Sequence, residues 1–116
     1  DHVRSSGATV FSVREMERLG VEAVVSRAGE IASDGADGVY LTIDIDVVDH
    51  AFAPGTGSFV FGGITSANFL HLMECLSRLP VLALDLVEVA PNLDPTGGTQ
   101  RLAAMGLISF LMDRIF

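Results

Sequence analysis

Lysine is missing from this sequence altogether: all seven basic residues are arginines. That excludes both a phosphate-cradling P-loop lysine and a Schiff-base lysine. Against fifteen acidic residues the balance is −8. A nucleic-acid partner is therefore not expected, because phosphate neutralisation needs a basic surface. The charge suits a cationic substrate, or metal ions that offset part of it. Cysteine is scarce as well. Cys75 stands alone, so no intrachain disulfide can form. A lone thiol in a predicted helix reads as a small buried hydrophobe, and it favours a reducing, cytoplasmic setting. No secretory signal is legible in the opening DHVRSSG. The longest apolar stretch, near 102–112, is broken by Gly106 and Ser109. It falls short of the roughly 20 residues a membrane-spanning helix needs. Repeats and low-complexity tracts are also absent.

What is present suits one small packed domain: 116 residues, 49% of them hydrophobic. ATVFS (8–12) reads as a short strand. Ser12 and Glu15 have capping-box spacing, which predicts a helix from Val13. Gly20 should break it, and a second helix runs from 21 to about 32 with Ala23, Val24, Arg27, Ala28 and Ile31 as its stripe. VYLTI (39–43) is apolar on both faces, as in an interior parallel strand. A Gly- and Pro-rich loop follows over 47–64, long enough to suggest function. Thr65 is placed to cap a helix over 66–79, which Pro80 ends. VLALDLVEV (81–89) is a second buried strand. APNLDPTGG (90–98) is loop, and Thr99 is expected to cap a final helix over 100–115. Strands alternating with helices predict an α/β fold with a parallel sheet. Ligands bind such sheets beyond the carboxyl ends of the strands.

Three acids fall at those ends. As residues two apart on a strand, Asp44 and Asp46 are expected to project from one face, roughly 6–7 Å apart. No basic residue lies between Arg27 and Arg78 to neutralise them. Either the acids cap a local turn, or a cation offsets them, and hard oxygen ligands favour Mg, Mn or Ca. Asp-x-Asp alone is shared with Mg-dependent phosphoryl and glycosyl transferases, but no basic residues are near to hold phosphate. A non-catalytic binding or assembly module is a further alternative. Asp49 reads as a turn former. Glu88 is either bonded to loop amides or an anion awaiting a cationic group. Asp85, three residues earlier, is expected on the opposite side, against a helix or loop. His2, His50 and His71 are weak signals, with His50 and His71 expected on the surface.

TIDIDVVDHAFAPGTGSFVFGGIT (42–65) closely resembles a metal-binding signature of the ureohydrolases, the family of arginase and agmatinase. LDLVEVAPNLDPTGGTQRLAA (84–104) resembles the family's next signature, and VREMERLGVEAVV (13–25) the helical approach of agmatinase-like members. The resemblance implies a three-layer α/β/α parallel sheet of the arginase type, of which this chain would be only a C-terminal part. It implies a dinuclear manganese hydrolase, with Asp44 and Asp46 as metal ligands. Hydroxide held by the metals would attack a guanidinium carbon, giving urea and an amine. Glu88 would orient the small cationic guanidino substrate, and Ser58 would keep a hydroxyl for substrate or product. A homo-oligomer, trimer or hexamer, is the family habit.

The match has departures. His50 stands where the family usually has Pro, Ser58-Phe59 where it has Thr often followed by Pro, and Ala90 where it has Asn. The family's Gly-Gly-Asp-His, Asp-x-His-x-Asp and His-Gly motifs, which carry further metal ligands and a catalytic histidine, do not occur. The chain alone is therefore expected to be inactive, with a sheet edge left for a partner to cover.

Overall fold

Helix α1, Val13–Leu19, begins where the capping box places it. The Glu15 amide donates to Ser12 Oγ at 3.3 Å, and the Ser12 amide donates to the Glu15 carboxylate at 2.8 Å. In this computed structural model, which describes residues 5–115, Gly20 takes a φ of 88° and separates α1 from α2, Val21–Ser33. Strand β1, Val39–Asp44, leads into a 3-10 turn, Ile45–Val47. Helix α3, Ser66–Ser77, is capped by Thr65, whose hydroxyl accepts the Asn68 amide at 3.1 Å. Strand β2 is Val81–Val87, and helix α4 is Gly98–Ile115. His2 lies outside the described residues.

The two strands pair in parallel, from Val39 against Val81 to Asp44 against Val87, with α3 between them in sequence. Leu41, Ile43, Leu84 and Leu86 turn towards the helices and join a core built on Phe69, Met73, Leu102 and Phe110. Phe69 is fully buried, and truncating such a ring to Ala typically costs about 3–5 kcal/mol. Arg114 ties the end of α4 back to the α3–β2 turn. Its guanidinium donates to the carbonyls of Ser77, Leu79 and Val81 at 3.0–3.1 Å, and its cation lies 5.5 Å from the Phe110 ring centre. Ser77 is the last residue of α3, so its orphan carbonyl meets a cation, as the helix dipole favours.

Several expectations are corrected. Residues 8–12 form no strand: no described neighbour offers a ladder, and Val10 is exposed. The buried stripe of α2 is Val21, Val24, Val25 and Gly29, while Ala23, Arg27 and Ile31 face out. Gly29 explains the shift, because a Cβ there would collide with Leu79. Bare backbone is the contact, and a hydrophobic stripe cannot reveal it. Among the described residues, Asp85 meets neither helix nor loop. It accepts hydrogen bonds from Thr42 Oγ1 at 2.6 Å and from the Tyr40 hydroxyl on β1. These donors, Thr42 foremost, hold its carboxyl below the usual range, while Asp85 pushes the Tyr40 hydroxyl up. Tyr40, Thr42 and Asp85 lie on the sheet face away from the core, so the described residues supply two layers of the three-layer α/β/α arrangement.

Thr99 does not cap α4 from outside. It lies within the helix, and the capping group is Asp94, nearly fully buried. Asp94 accepts from the Thr99 amide at 2.7 Å, the Thr99 hydroxyl at 2.8 Å, the Thr96 amide at 3.0 Å and the Thr96 hydroxyl at 2.6 Å. Thr99 Oγ1 in turn accepts the Gly55 amide at 2.8 Å. A Cβ on Gly55 would sit 2.8 Å from Asp94 Cβ, so only glycine lets the loop after β1 seat on α4.

The Thr96 hydroxyl, then the Thr99 amide and hydroxyl, hold the Asp94 carboxyl well below the usual carboxylate range. A depressed folded-state pKa stabilises above the unfolded value, about 3.9, and that contribution fades as pH falls towards the folded one. Asp94→Asn should therefore lower the urea midpoint at pH 7, with the gap to wild type narrowing below about pH 4. A gap that stays constant across that range would exclude the charge as its source.

Candidate metal and substrate site

Asp44, Asp46 and Glu88 gather where both strands end. Asp44 closes β1, and Asp46 follows in the 3-10 turn rather than on the strand. The expected shared face thus does not come from strand pleating. Asp44 Oδ1 accepts the Asp46 amide at 3.0 Å and caps that turn. This engages one oxygen, and a carboxylate has capacity for about four hydrogen bonds or ligand contacts over its two. Asp44 pairs with Val87, so Glu88 is the next residue beyond the end of β2. Glu88 has a φ of 64°, the one left-handed non-glycine backbone among the described residues. Such a conformation costs an L-residue roughly 1–2 kcal/mol, and strain of this kind clusters at functional sites.

The electrostatics are one-sided. The Asp46 carboxyl is pushed up by burial first, then by the charge of Asp44, a side-chain hydrogen bond with Asp44, and the charge of Glu88. No arginine among the described residues contributes to that shift. The acids are thus close enough to oppose one another's ionisation. An all-oxygen, all-anionic donor set fits a hard divalent ion such as Mn or Mg and suits a soft one poorly.

The loop after the turn is held by Asp49. Its carboxylate accepts the Ala51 amide at 2.9 Å and the Gly62 amide at 2.7 Å, and these bonds, Ala51 foremost, lower its pKa. Val48 bridges Ile64 in parallel, which closes the loop at its base. His50 is not a plain surface residue. Its ring lies 4.4 Å from that of Phe59 and 5.8 Å from that of Phe61, and its buried Nδ1 has no hydrogen-bond partner among the described residues. Ser58 is exposed beside these aromatics, and no hydrogen bond joins it to the three acids among the described residues. The loop's second anchor is Gly55, whose carbonyl accepts the Ala90 amide at 2.7 Å. Gly55 and Asp94 thus fix the two acid-bearing loops to each other. Sequence reasoning missed Asp94, whose one local signal was Thr96 and Thr99 following an Asp.

Known proteins resemble this chain in sequence and in fold. The family model described as the Arginase family matches residues 1–112. The agmatinase of Proteus mirabilis is 42% identical over 94 residues, covering 81% of this chain and 30% of that protein. The guanidinopropionase of Pseudomonas aeruginosa is 38% identical over 108 residues, covering 93% of this chain and 33% of that protein. Among solved structures, arginase from Bacillus caldovelox superimposes with a TM-score of 0.89 at 29% identity, over 99% of this chain and 39% of that one. The chain spans about a third of the length of the curated relatives it matches. By sequence along nearly its whole length, and by fold, this chain belongs to the arginase family.

Proposed function

We propose that the intact protein is a ureohydrolase, cleaving agmatine or a similar guanidino compound to urea and an amine with two manganese ions. The observation that carries this reading is the meeting of Asp44, Asp46 and Glu88 at the ends of the paired strands, with no arginine among the described residues acting on Asp46. The names of the agmatinase and guanidinopropionase relatives support the substrate class. Asp44 and Asp46 would hold the metal, Asp44 through the oxygen that its turn leaves over. When bound, such ions supply Lewis-acid polarisation and a lowered pKa for water. Glu88 accepts charge-assisted hydrogen bonds from the guanidinium and orients it. The Ser58 hydroxyl meets substrate or product at the loop rim, and Phe59 and Phe61 supply apolar cover.

The 116 residues form the C-terminal part of the catalytic domain in this proposal, and sequence beyond them supplies the remaining ligands. The isolated chain is then inactive and binds manganese weakly. The exposed Met105, Ile108, Met112 and Ile115 of α4 would be covered in the intact, cytoplasmic homo-oligomer.

Manganese-loaded intact protein should release urea from a panel of guanidino compounds, and a panel that yields none would reject the activity. Asp46→Asn should lower manganese stoichiometry and rate together, as measured by metal analysis beside a urea assay. Glu88→Gly should separate stability from function. Relief of the left-handed backbone should stabilise the fold by about 1 kcal/mol, while turnover falls by 100-fold or more, on the order of the 2–3 kcal/mol carried by a strong charge-assisted contact. Retained turnover would remove Glu88 from substrate recognition.

A further inference from the structure

A second cluster of metal-ligating groups lies away from the sheet ends, between α2 and α3. His71 and Cys75 are four residues apart on α3 and so share one helix face. Glu22, in the first turn of α2, meets them across the helix pair. His71 Nε2 stands 3.8 Å from Cys75 Sγ and 3.7 Å from Glu22 Oε1. All three donor atoms lie within 4.8 Å of one another. A tetrahedral zinc ion with ordinary Zn–N, Zn–S and Zn–O bonds has N–S and N–O edges of about 3.4–3.6 Å. The two measured separations exceed this by only a few tenths of an ångström. On its other side, His71 Nδ1 lies 3.5 Å from Glu74 Oε2. That is the carboxylate–histidine arrangement which fixes the tautomer of a metal-ligating imidazole.

The surroundings fit a thiophilic ion. Cys75 is buried yet borders an open cavity of about 390 Å³ that Glu22, Ser26 and Arg78 also line, so an ion has a route in. Binding would release the thiol proton to solvent, as metal coordination by cysteine requires, with no change of oxidation state. Nitrogen, sulfur and carboxylate donors select zinc over the hard ions suited to Asp44 and Asp46.

We propose that His71 Nε2, Cys75 Sγ and the Glu22 carboxylate form a three-ligand zinc site clasping α2 to α3, with water in the fourth position and Glu74 as the positioning residue. The site is independent of the manganese reading. Its test uses intact protein stripped with a chelator and titrated with Co²⁺, then with Zn²⁺ against a chromophoric chelator. One equivalent of Co²⁺ should produce thiolate-to-cobalt charge-transfer absorption in wild type and in Asp46→Asn, and Zn²⁺ should abolish it stoichiometrically. The band should be absent in Cys75→Ser. Glu22→Gln, at an exposed residue whose change leaves the fold intact, should weaken Zn²⁺ binding at least tenfold. Glu74→Gln should weaken it about 10- to 100-fold. The proposal is overturned if wild type shows no thiolate absorption with Co²⁺, or if Zn²⁺ affinity is unchanged in both Glu22→Gln and Cys75→Ser.

Discussion

The arrangement depends on carboxylates brought together with no cationic group of the described residues acting among them. Asp44, Asp46 and Glu88 come from two strand ends that parallel pairing sets side by side. Burial and like charge both disfavour ionisation of Asp46. Hydrogen-bond donors, a proton, a metal or a cationic ligand can each offset such a cluster. The rest of the structure serves that juxtaposition. Asp49 shapes the loop that follows, while Asp94, Thr99 and Gly55 bolt it to the loop after β2.

Fold class was legible because its signals are local and redundant. The Ser12–Glu15 box, the Thr65 cap and two apolar runs ending in acids each mark one element boundary, and each stands within two residues of its expected place. The strand expected over 8–12 failed because a strand exists only through its neighbour. The stripe on α2 was misplaced because Gly29 contributes contact by having no side chain.

At the site, residue identity was readable but geometry was not. Period-two spacing placed Asp44 and Asp46 together, and they are together, though through a 3-10 turn rather than a pleat. The strain at Glu88 leaves no trace in composition, since glutamate is an unusual choice for a left-handed backbone. His71 looked like an ordinary surface residue because its partner Glu22 lies 49 positions away, on another helix. The cap by Asp94 was hidden by Thr99, a better-looking candidate that donates to the true one.

The pairing of β1 with β2 also orders events in time. Val39 pairs with Val81, 42 positions further along the chain, whereas the turn joining Asp44 to Asp46 closes over two. Contacts between distant segments form slowly because the entropy of closing the intervening loop comes first. The Asp44–Asp46 half of the acidic cluster can therefore take shape early in folding, and Glu88 joins it only when the sheet zips shut.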